Sequence, residues 1–232
     1  MPRYIRGNIL PTQVSSRTLN TIWALKHDGS GPRWALSSSL NSTYFNYPFY
    51  DFARDADKFY APHAALTAAN SGDLLVIDDG DSRPGCTTAV PAGCFSRVLQ
   101  YTFDERRRTV NVAWQFEWGV DLAKAAHDGV GDSEENWSEV MLHDGYNPVG
   151  GSVYELHSGT LLVAFTSVAA MQRAWNPRGT APIFEFQPNS QGKYDLIAKL
   201  LLPEPLTNNG LQNAYRVVPW DKIHTESRDP TL

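Results

Sequence analysis

What most constrains this chain is its punctuation. Short segments rich in β-branched and aromatic residues recur along it with near-alternating polarity, and turn-forming residues separate them, which marks strands rather than helices. Strands are expected at 19–26 (LNTIWALK), 32–37 (PRWALS), 72–79 (GDLLVIDD), 96–104 (SRVLQYTFD), 109–118 (TVNVAWQFEW), 150–157 (GGSVYELH), 160–167 (TLLVAFTS), 182–188 (PIFEFQP), 194–202 (YDLIAKLLL) and 213–219 (NAYRVVP). Helical periodicity is almost absent; only 121–128 (DLAKAAHD) reads as a short helix, capped by Asp121.

The joins HDGSG (27–31), DERRR (104–108), HSG (157–159) and PNSQGK (188–193) place Asp, Asn or Gly where a hairpin turn often needs positive φ. Longer loops at 38–62, 80–95, 119–149 and 168–181 separate the hairpins. Their spacing, roughly 40–50 residues, is the repeat length of a propeller blade. A β-sandwich has a similar strand count, but the spacing favours blades. The expected fold is all-β, an antiparallel β-propeller in a single domain over 1–232 with about four countable blades. The apolar faces of the hairpins, carrying Trp23, Trp34, Trp114, Phe116, Phe184 and Phe186, are then packed between blades.

Composition narrows the partners. With 42% hydrophobic residues in 232 the chain has material for a core, and 20 basic against 25 acidic residues leave a net charge of −5. No basic face emerges, so a nucleic-acid partner is not expected. No run approaches the ~18 apolar residues of a membrane span, and the opening MPRYIRGNILPTQVSSR lacks the apolar core of a signal peptide. Cys86 and Cys94 share one Pro/Gly-rich loop, where a disulfide and two free thiols are equally open, while two ligands alone make no zinc site. The triplets Asn41-Ser42-Thr43 and Asn136-Trp137-Ser138 match glycosylation acceptors. Location stays open.

Read in order, four blocks carry a resemblance. VSSRTLNTIWALKHDGSGPRWALS looks like a "strand, Ser-Arg-x-x-x, then Ile-x-x-Ile-Asp…Gly-x-x-x-Trp" hairpin, and PHAALTAANSGDLLVIDDGDSR looks like "Gln-His-x-Ala…Gly-Asn-Leu-Leu-x-Phe-Asp-Asn-Gly…Arg". SRVLQYTFDERRRTVNVAWQFEW resembles "Ser-Arg-x-x-x-Tyr-x-x-Asp…Thr-Val-x-x-x-Trp-x-Tyr", and YNPVGGSVYELHSGTLLVAFTS resembles a strand pair ending in "Leu-x-x-Gly-Asn-Thr-Leu-Ile". Together they resemble the bacterial-type arylsulfotransferase family over nearly the whole chain, and the resemblance implies a six-bladed propeller. Two departures stand out: Pro62 replaces the family's Gln, and Asp78-Asp79-Gly80 replaces its Asp-Asn-Gly. The family's upstream region, with early blades and another histidine block, has no counterpart. The resemblance therefore implies the C-terminal portion of a member or a shortened one, and open blade edges that invite pairing into a homo-oligomer.

Such a resemblance implies transfer of a sulfuryl group from a phenolic sulfate ester to a phenol, without a nucleotide donor, a metal or another cofactor. The partners implied are a small aryl sulfate donor and a phenol acceptor. An imidazole nucleophile gives a sulfohistidine and a double displacement, and an arginine fork suits sulfate oxygens. His63 matches the family's histidine at a strand mouth, and Arg83 its sulfate-holding arginine. The carrier histidine corresponds to His143, or less well to His157, while Arg17 and Arg97 are further anion contacts. Plainer readings stand beside these: Arg83 neutralising Asp78, Asp79 and Asp81; His143 bonded within its loop beside Asp144; the acidic run as turn chemistry, since DDGDSR lacks the spacing of an EF-hand. His27, His127 and His224 read as solvated.

Overall fold

The computed structural model describes residues 12–68, 70–81, 83–86, 94–117, 150–156, 158–165 and 181–202. Within them lie β1 (Thr12–Ser16), β2 (Thr21–Leu25), β3 (Pro32–Ser37), β4 (Phe49–Phe52), β5 (Pro62–Thr67) and β6 (Leu74–Asp78). They continue with β7 (Arg97–Asp104), β8 (Thr109–Glu117), β9 (Ser152–Glu155), β10 (Leu161–Ala164), β11 (Ala181–Pro188) and β12 (Tyr194–Leu202). Among the described residues the helical segments are single 3-10 turns, Ser42–Tyr44 and Asp55–Asp57.

The strands fall into consecutive groups of four. β5 to β8 and β9 to β12 each pair in sequence order, every neighbour antiparallel. In the first group β1, β2 and β3 pair the same way, but β4 runs parallel to β3 and, on its other side, parallel to β8. β4 thereby stitches two groups into one sheet ordered β1-β2-β3-β4-β8-β7-β6-β5, which curls until its end strands β1 and β5 lie side by side. β5 in turn lies against β9. The opening strands of the groups gather together, as in propeller blades, and the fold is the all-β, propeller-like one expected from the strand spacing.

β6 shows why the groups stack. All five of its residues, LLVID, are buried. Leu75 and Ile77 enter a core with Val153, Leu161, Val163, Phe184 and Phe186 of the third group, whereas Leu74 and Val76 enter another with Ile22, Trp34, Leu36 and Tyr50 of the first. A strand covered on both faces needs apolar residues at every position, so its alternation disappears. Aromatic edges lock both layers: Trp34 meets Phe103 at 5.2 Å, and Phe116 meets Phe184 and Phe186 at 5.2 and 4.8 Å.

The expected turns join β2 to β3, β7 to β8, β9 to β10 and β11 to β12. Three of them are held by the side chains that suggested them: Asp28 Oδ1 accepts from the backbone N–H of Ser30, Asp104 Oδ1 from those of Arg106 and Arg107, and Asn189 Oδ1 from those of Gln191 and Lys193. Three strands escaped the sequence reading. β1 (TQVSS) is largely polar, β4 pairs over only two positions on each side, and β5 (PHAALT) begins on proline and is filled by small residues. The expected loop 38–62 therefore contains β4, and His63 stands inside β5 rather than ahead of a strand. The expected strand at 213–219 and helix at 121–128 lie outside the described residues.

Candidate functional site

β6 runs out of its apolar core directly into Asp78, Asp79 and Gly80. Both carboxylates are fully buried, so the reading of this run as turn chemistry alone is corrected. Asp78 is saturated. Its Oδ1 accepts from the backbone N–H of Tyr60 at 2.7 Å and of Gly80 at 3.1 Å, and its Oδ2 from Arg83 Nη2 at 2.7 Å and Arg97 Nε at 2.9 Å. Two guanidinium groups and two amides offset the cost of burying one charge.

Gly80 then turns the chain at φ +77°, its N–H donating to Tyr60 O at 2.8 Å, and Arg83 N–H closes the turn on Gly80 O at 3.1 Å. The turn brings Arg83 back over β6, where its guanidinium lies 3.7 Å from the Phe95 ring centre and 5.1 Å from that of Tyr60. Phe95 follows a loop closed by a Cys86–Cys94 disulfide with Cα atoms 4.6 Å apart, one of the two states the sequence left open.

Asp79 is placed differently. Its Oδ2 faces His63 Nδ1 at 3.4 Å and Arg17 Nε at 3.9 Å, yet among the described residues neither of its oxygens accepts a hydrogen bond of good geometry. Arg17 also pairs with Asp81. Burial pushes the Asp79 carboxyl up to about 7, against the opposing pull of His63 and then of Arg17. The folded protein therefore keeps this proton where the unfolded chain, titrating near 3.8, has released it. Stability falls as pH rises through that window, and Asp79→Asn removes the penalty, worth up to about 4 kcal/mol above pH 7. Melting curves at pH 5 and pH 8 check this. The difference between the two proteins is expected to move toward the variant at the higher pH, and an unchanged difference contradicts it.

His63, Arg17, Arg83 and Arg97 thus converge on two adjacent carboxylates, while His143 and His157 lie outside the described residues. The arginines differ in what they can still do. Arg97, 5% exposed, donates to Asp78, Gln115 and the carbonyls of Ala56 and Lys58, which is the pattern of an internal brace. Arg83 is 11% exposed and its Nε–H has no acceptor among the described residues, whereas Arg17 is 37% exposed. The reading of Arg83 as counter-charge to Asp78 is realised in this geometry, and its Nε–H is left over.

Sequence reasoning missed the carboxylates as the hub and Tyr60 and Phe95 as the plates around Arg83. One pattern in the chain pointed to the first: an acidic pair in direct continuation of the most apolar strand has nowhere to go but inward.

No family model matches this chain. Over 70 residues, 29% of its length, it is 34% identical to the arylsulfate sulfotransferase AssT of Escherichia coli O6:H1 and 37% identical to that of Lelliottia amnigena. The likeness covers 12% of either relative. It points to one family and reaches only a small part of it.

Proposed function

We propose that the protein is an arylsulfotransferase-like enzyme moving a sulfuryl group from a phenolic sulfate ester to a phenol. The observation that carries this reading is the convergence of His63, Arg83 and Arg17 on Asp78 and Asp79, in a chain with a stretch similar to arylsulfate sulfotransferases. In the first half-reaction a carrier imidazole, assigned from sequence to His143, attacks sulfur; the N–S bond forms, the S–O bond breaks, and the departing phenolate takes a proton. In the second, the acceptor phenol gives up its proton as its oxygen displaces the imidazole from sulfur. His63 serves the phenolic oxygen, and Arg83 and Arg17 supply positive charge to the sulfate oxygens.

A non-catalytic ligand-binding propeller is the competing reading, favoured by the neutralisation of both Arg83 and Arg97 by Asp78. Incubation with 4-nitrophenyl sulfate and excess phenol separates the two. Release of 4-nitrophenol matched by phenyl sulfate, reduced on the order of 10²-fold or more in His63→Ala, supports transfer. Ligand binding without turnover supports the binding module.

A further inference from the structure

Where the resembling family carries Asn, this chain has Asp79, and that added carboxylate stands against His63. Resting on the assignment of His63 to the phenolic oxygen, we propose that Asp79 is a positioning residue: its carboxylate, facing Nδ1, draws the ring's N–H to that side, fixes the tautomer, and leaves Nε2 to exchange the proton.

Three observations carry this. Asp79 Oδ2 lies 3.4 Å from Nδ1, and the carboxylate is wholly buried behind a ring that is 16% exposed. The pairing of β5 with β6 skips His63: Pro62 faces Asp78 and Ala64 faces Ile77, so His63 is the extra residue of a bulge. Bulges re-aim a side chain, and here the backbone is pinned as well, since the His63 carbonyl accepts from Ser15 Oγ at 3.0 Å. Finally, the distances rank what faces Asp79. Asp78 holds Arg83 and Arg97, and Arg17 pairs with Asp81 and approaches Asp79 at 3.9 Å, so that His63 at 3.4 Å is the nearer of the two.

A carboxylate on one ring nitrogen fixes which nitrogen is free to act. The phenol proton then moves to Nε2 as the O–S bond forms, and returns from Nε2 to the departing phenolate in the other half-reaction. Asp79 holds Nδ1–H throughout and touches no reacting atom.

Nitrogen-15 spectra of the histidine-labelled full chain at pH 8, with the His63 signals assigned by His63→Gln, test this without turnover. The expected result is a neutral His63 protonated at Nδ1, the reverse of free imidazole's preference, and Asp79→Leu should shift the ring toward Nε2–H. A wild-type ring protonated at Nε2 overturns the proposal even if no Asp79 variant folds. Alongside, Asp79→Asn is expected to lower kcat about 10–100-fold with KM unchanged and the pH profile displaced, and an unchanged kcat and profile overturns a positioning role. If transfer itself is absent, the functional reading fails while the tautomer measurement still decides the pairing.

Discussion

Asp78→Ala is expected to lower the melting temperature by roughly 10–20 °C, more than any conservative change in the apolar core. The reason lies in what remains behind. Arg97 and Arg83, 5% and 11% exposed, lose the carboxylate they share, and the amide of Tyr60 loses its acceptor, while the Gly80 N–H keeps the Tyr60 carbonyl. Removing one member of a buried ion pair costs about 3–5 kcal/mol because the surviving charge stays buried, and the stranded Tyr60 amide adds to that. Asp81→Ala is the internal control. Its side chain is 43% exposed and its partner Arg17 is 37% exposed, so the loss is expected to stay under about 1 kcal/mol. Equal melting temperatures for the two variants, read by calorimetry or circular dichroism, contradict this division of labour.

Gly80→Ala is expected to be of similar severity for a steric reason. A Cβ at Gly80 falls 2.1 Å from the carbonyl oxygen of Phe95, a backbone atom that no rotamer change can move aside, and the residue sits at φ +77°. The left-handed conformation alone costs a non-glycine residue about 1–2 kcal/mol. Relieving the clash means shifting either the turn or the segment after the disulfide, and both carry the Arg83 site. A total on the order of 3–5 kcal/mol is expected. Gly29→Ala, at a comparable φ of +71° with nothing within 4 Å of the added carbon, should show only the conformational part. The two substitutions differ in crowding and hardly in φ. Comparable losses from both, measured by urea unfolding, would show that the Phe95 contact is not decisive.

How far the chain could be read in advance depended on what its strands face. Where turn residues bound a segment closely its span was legible: β3 at Pro32–Ser37 and β12 at Tyr194–Leu202 coincide with the expected spans, whereas β6 and β9 are shorter at both ends than the expected 72–79 and 150–157. The strands that gather beside one another, β1 and β5, have polar or small side chains, since they meet neighbouring strands edge to edge more than they bury a broad apolar face. Hydrophobic period says little about them, and His63 was consequently placed ahead of a strand instead of at a bulge within one. The site was half legible. His63, Arg17, Arg83 and Arg97 were named from the chain, but the carboxylates joining them look in sequence like any Asp-rich turn. Their burial comes from the stacking of β6 between two other groups, a relation between distant segments that local spacing does not encode.

A sulfuryl group carried on the protein is tested most directly by exposing the full chain to sulfur-35-labelled 4-nitrophenyl sulfate without an acceptor. One equivalent of label is expected to bind covalently, to be released as labelled aryl sulfate when phenol is added, and to be lost in His143→Ala. Absence of covalent label, or label that survives His143→Ala unchanged, would contradict it.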